Sequence, residues 1–138
     1  MADITKSASL VGVAGLSAVK LTPQTRQAGV TLAAGDACYI DSNGLFQKAV
    51  STVSFVVTGT QMQSAFDGLA AMSMVSGSFG EIYGDKSLFS YAASGLTIGK
   101  PVWISATAGK LADAVVAALD APVGVCRSAT DIELIRGV

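Results

Sequence analysis

The apolar positions of this chain fall into short runs separated by glycine-bearing polar turns. From Val30 onward this pattern predicts strands. Residues 36–41 (DACYID) favour extended backbone, and Asp41-Ser42-Asn43-Gly44 ends them. Asn-Gly supplies the positive φ angles of a tight hairpin turn, so residues 45–50 return as the partner strand. Residues 54–58 (SFVVT) read as a further strand, stopped at Gly59. Residues 61–75 are ambiguous. Met62, Ala65, Phe66 and Leu69 fall at helical spacing, yet Gly68 would cost a helix about 1 kcal/mol. A strand over residues 66–72 is the preferred reading. A loop follows over 76–80, and then residues 80–84 (GEIYG) and 87–91 (SLFSY) flank Asp85-Lys86 as another expected hairpin.

Residues 96–115 (LTIGKPVWISATAGKLADAV) show the pattern most fully. Gly99 is expected to open a strand carrying Trp103 and Ile104. A turn of small residues spans 105–109, and a return strand follows. Pro101 suits a sheet edge or the first residue of a strand. After residues 116–119 (VAAL), Asp120-Ala121-Pro122 is punctuation, and residues 123–127 and 132–135 close the chain. Strands every 8–12 residues or so with glycine-bearing turns indicate a mainly β domain, barrel- or sandwich-like. Residues 1–28 differ. They show no clean period of 2 or 3.6, and Pro23 holds Thr22 extended. The expected organisation is an extended N-terminal arm over 1–28 and a β-rich domain over 29–138.

One segment echoes another. Setting Gly35 on Gly99, an offset of 64, places Leu32 on Leu96, Tyr39 on Trp103 and Ile40 on Ile104. One extra residue in the second turn then brings Gly44 opposite Gly109. Residues 80–83 look like a partial third copy of the strand start. Each unit reads as a hairpin with an aromatic on one face and an aliphatic on the other.

Composition narrows the function. Hydrophobic residues make up 51% of the chain and charged residues only 14%, against about a quarter charged in ordinary soluble domains. Either Ser, Thr, Gly and Ala cover the surface, or much of it is buried against partners, which suits an assembly subunit. Net charge is −1, and Lys and Arg are scattered, which argues against nucleic-acid binding driven by counterion release. The apolar stretch over residues 8–19 is broken by Gly and Ser and is too short to span a bilayer. The expectation is no membrane partner and a cytosolic site of synthesis.

Candidate chemistry is sparse. The chain has no His, which removes the usual general base and the commonest metal ligand. Ser17-Ala18-Val19-Lys20 matches an S-x-x-K pattern but lacks its S-D-N and K-T-G companions. Asp41-x-Asn43-Gly44 is a calcium-loop fragment with Gly in the wrong place and Thr52 where the final Glu belongs. Cys38 and Cys126 are too few for structural zinc, and sequence alone leaves open whether they are bridged. Asp36 and Asp41, on one expected strand, do not make a carboxylate pair. Tyr39, Tyr83 and Trp103 suit a core more than a stacking platform. No catalytic, cofactor-binding or metal residue is expected, no cofactor is implied, and the partner-binding residues stay unassigned.

The run from Phe66 onward reads FDGLAA, SGSFGEIYG, SGLTIGKPVWIS, AGKL, APVGVC and IELI. Together with Ala33-Ala34-Gly35-Asp36 and Asn43-Gly44-Leu45, it resembles the capsid cement (decoration) proteins of tailed bacteriophages, over about residues 29–138. The fullest motif is Gly95-Leu96-Thr97-Ile98-Gly99-Lys100-Pro101-Val102-Trp103. The resemblance implies a non-enzymatic, mostly β virion protein on the capsid surface. It would be a homotrimer bound to the major capsid protein, stabilising that lattice. The arm is expected to lie across a neighbouring subunit. The competing expectation is a glycan- or receptor-binding module of a phage tail or surface adhesin, using Trp103 or Tyr39.

Overall fold

The computed structural model describes residues 3–6, 12–13, 24–51, 54–57, 61–115 and 120–137. Among them the regular structure is all strand. In chain order the strands are β1 (Gly12–Val13), β2 (Gln24–Gln27), β3 (Ala37–Ile40), β4 (Phe46–Lys48), β5 (Ser54–Val57), β6 (Gln61–Ser64) and β7 (Gly68–Ala70). There follow β8 (Phe79–Tyr83), β9 (Leu88–Ser90), β10 (Pro101–Ile104), β11 (Leu111–Ala112), β12 (Gly124–Cys126) and β13 (Asp131–Leu134). One sheet has the order β1-β9-β13-β12-β10-β11 and a second the order β2-β8-β7-β3-β4. The strands β5 and β6 pair as a separate ribbon. Every strand pairing is antiparallel.

The second sheet is strongly rolled. Ala28, just past β2, bridges to Phe46 on the opposite edge strand, and the Gly29 N–H donates to the Phe46 carbonyl at 2.9 Å. The roll encloses a small core of Ala28, Leu32, Cys38, Phe46, Ala70, Met74 and Ile82. A larger core lies between the two sheets and is built around Leu69, Phe89, Tyr91, Val102, Ile104, Leu111, Ile132 and Leu134. Alternation along a strand explains the division. In β3, Ala37 faces the large core and Cys38 the small one. In β7, Leu69 and Ala70 divide in the same way.

The internal echo is structural. In the first unit Tyr39 pairs with Gln47 and Ile40 with Phe46. In the second, Trp103 pairs with Ala112 and Ile104 with Leu111. These are equivalent pairs at the offset of 64, with one more residue in the second turn. Gly35 and Gly99 both sit at positive φ, 82° and 85°, a conformation that side chains with a Cβ resist. Gly99 is therefore a turn residue before its strand rather than the strand's opening, and Pro101 is the first residue of β10. The third copy starts earlier than expected. Its turn glycine is Gly77, at φ 90°, and Phe79, expected in a loop, already belongs to β8 with Gly80.

Two further expectations change. The helical alternative for residues 61–75 does not occur. The chain there makes β6 and β7, and Phe66 and Leu69 reach the large core from extended backbone. The expected hairpin around Asp85-Lys86 is instead a crossing between sheets. The strand β8 pairs with β2 and β7, while β9 pairs with β13 and β1. Lys86, at φ 71°, donates its N–H to the Leu134 carbonyl at 2.8 Å, which ties the crossing to the first sheet. The polar pair marks a reversal without specifying which sheet receives the next strand.

Where described, residues 1–28 are extended and lie on the chain's own sheets. Asp3 bridges to Ala112, and the Ile4 N–H donates to the Leu111 carbonyl at 3.0 Å. The strand β1 pairs with β9, and β2 is an edge strand on β8. The S-x-x-K residues 17–20, Thr52 and residues 116–119 lie outside the described residues.

Candidate functional site

Two surface features merit chemical attention. The first is the connection between β7 and β8, at the free end of the rolled sheet. Met72, Val75 and Phe79 are 48%, 70% and 71% exposed there. Between Asp67 and Glu81 no residue is charged. The backbone beneath these side chains is fixed. Leu32 and Met74 exchange both N–H···O bonds, at 2.8 and 2.9 Å. Ala28 donates to the Ser78 carbonyl and accepts from the Gly77 N–H, each at 2.8 Å. The Ser78 N–H and hydroxyl both donate to the Val75 carbonyl, closing the turn. The Gln27 amide donates to the Gly77 carbonyl at 2.6 Å. Met74 turns inward to the small core, and a Cβ on Gly80 would run into its thioether.

The second feature is a pocket of about 460 Å³ between residues 3–5 and the loop over 94–97. Its apolar side includes Leu96, Val102 and Cys126, and its polar side includes Lys100 and Asp113. The register of β10 on β12 sets Lys100 opposite Cys126. Burial pushes the Cys126 thiol up from its usual range, which keeps it protonated and weakly nucleophilic near neutrality. Among the described residues no aromatic ring lines this pocket.

The residues singled out in the sequence are not gathered at either place. Cys38 and Cys126 are free thiols in different cores. Burial, with the nearby Asp36 charge second, pushes Cys38 up to about 12. Tyr39 and Tyr83 pack at the margin of the large core. Tyr83 meets Phe89 edge-on at 6.5 Å, the one ring pair among the described residues. Trp103 is half-buried on the face of β10 opposite Val102 and Ile104. Asp36 is buried, and its carboxylate takes the Lys6 ammonium and the Ala33 N–H. Asp41 serves its own turn, accepting N–H groups from Asn43 and Leu45 and the Gln47 amide. No group of three His, Cys, Asp or Glu able to hold a metal ion occurs among the described residues.

The apolar tip was not legible in the sequence. In the sequence Phe79 falls in the expected loop over 76–80, and Val75 ends the ambiguous stretch over 61–75. The available signal was the uncharged stretch around them. Comparison with family models, with curated proteins and with solved structures finds no match in any of the three.

Proposed function

We propose that this chain is a capsid cement protein of a tailed bacteriophage, a non-enzymatic subunit that binds the outside of the head and stabilises the major capsid protein lattice. One observation carries the reading: segments that resemble the cement family help to join the two sheets. Gly109, in the Gly-Lys-Leu turn, accepts the Ala37 N–H at 2.9 Å and donates to the Ala49 carbonyl at 2.8 Å. Ser51 donates its N–H to the Ser105 carbonyl at 2.9 Å. Gly99, in the longest shared motif, donates to the Cys126 carbonyl at 2.8 Å, which fixes that motif within the first sheet. The resembling residues are thus spent on a stiff framework. The apolar, weakly charged composition supports a framework that works by contact.

In this reading the subunit acts as a homotrimer, and many modest contacts over a symmetric shell sum to a large stabilisation. The test is co-sedimentation of the purified chain with cognate heads lacking it, alongside its mass by light scattering. A trimer that co-sediments and raises the temperature at which heads rupture is the expected result. A chain that stays in the supernatant at tens of micromolar overturns the proposal.

A further inference from the structure

We infer that the tip carrying Met72, Val75 and Phe79 is the surface that touches the shell, through an apolar, uncharged patch of the capsid lattice. This rests on the cement reading and adds the face of the subunit that does the binding. Three observations favour the tip. It presents three large apolar side chains on backbone already fixed by hydrogen bonds to residues 27–32 and within the turn itself, so little ordering cost remains at contact. It lies away from the main core. Along β8, Tyr83 touches that core, and Phe79 stands four residues further, about 13 Å at strand rise. It also carries no charge from residue 68 to residue 80. The complementary surface is therefore neutral and apolar, since burying an unmatched charge against it is costly.

Size argues against a second copy of the chain as the occupant. At these exposures the three side chains offer roughly 300 Å², taking about 200 Å² for a whole aromatic side chain. A stable pair of proteins needs about 800 Å² from each partner. The tip is too small to hold a second copy by itself. It suits a contact that is weak singly and repeated around a lattice.

The experiment compares wild type, Val75→Ser/Phe79→Ser and Ile98→Ser by co-sedimentation with cognate heads lacking the chain. Ile98 is as exposed as Phe79, at 71%, but lies in the loop beside the pocket. Circular dichroism and melting curves establish that each variant is folded. The expected result is a loss of at least about tenfold in apparent affinity for the tip variant, with Ile98→Ser unchanged. Equal binding by wild type and tip variant overturns the inference and leaves the cement reading standing. Equal weakening by both variants also overturns it, because any exposed apolar group would then serve. A tip variant whose free mass drops relative to wild type overturns it in favour of a contact between copies. If wild type itself does not bind heads, the cement reading fails and takes this inference with it.

Discussion

The Lys6 ammonium lies 2.5 Å from the Asp36 carboxylate, with 13% and 9% of the two side chains exposed. This pair fastens the start of the chain to the turn that begins the first hairpin unit. Lys48 approaches the same carboxylate at 3.9 Å but is 38% exposed. Removing one partner of a poorly hydrated pair leaves a charge with diminished compensation. Lys6→Met should therefore lower unfolding stability by about 1–3 kcal/mol, and Lys48→Met by under about 1 kcal/mol. Urea unfolding of both variants checks the order. Equal costs would mean that the ion pair does not fasten the segment.

Asp41 gives an acid-side prediction. Hydrogen bonds from Leu45, Gln47 and Asn43 hold its carboxyl below the usual 3.8. A depressed folded value contributes stability that is present above the unfolded value and lost as pH falls through the folded one. Asp41→Asn should therefore be less stable than wild type at pH 7. The gap should narrow as pH drops below about 4. Denaturation midpoints from pH 7 to pH 2 test this, and a gap constant across that range would refute it.

On the alkaline side the sign reverses. Cys38 is raised from 9.0 to about 12 by burial, and Tyr91 is raised from 10.0 for the same reason. The folded chain keeps protons that the unfolded chain releases. Stability should hold up to about pH 9 and fall above it, with Tyr91 adding to the decline above about pH 10. Cys38→Ala should flatten the slope between pH 9 and pH 10, whatever it does to stability at pH 7. An unchanged slope would show that Cys38 is not the source.

Gly68 faces backbone. A Cβ there would lie 2.5 Å from the Tyr83 carbonyl oxygen and 2.8 Å from its carbon. A neighbouring strand cannot yield as a side chain can. Gly68→Ala should cost about 2–3 kcal/mol, measured by chemical denaturation. A cost within about 0.5 kcal/mol, as at an ordinary surface site, would contradict the close approach of β7 and β8.

The parts of the fold legible in the sequence are those set by local chemistry. Asn43-Gly44 marks the first hairpin, and the sequence match of the two hairpin segments at an offset of 64 coincides with equivalent strand pairs in the fold. Long-range pairing was not legible. The strand β2 reads Gln-Thr-Arg-Gln, with no apolar alternation, because it is an edge strand that contributes no side chain to either core. Nothing in its pattern announces that β8 will pair with it, so the turn at Asp85-Lys86 looked like a simple hairpin. The exposed tip was hidden for a related reason. Whether Phe79 is buried depends on where the sheet ends, and alternation along β8 specifies only its face.

The strands β3 and β7 form a wall common to two interiors, with Ala37 and Leu69 on one side and Cys38 and Ala70 on the other. Neither interior can be emptied without stripping one face of that wall, which then loses its hold on the other. The rolled sheet and the sandwich should therefore melt in a single transition, and the slowest amide exchange should fall on these two strands. A load applied at the outer end of the rolled sheet would be carried through this wall into the rest of the molecule.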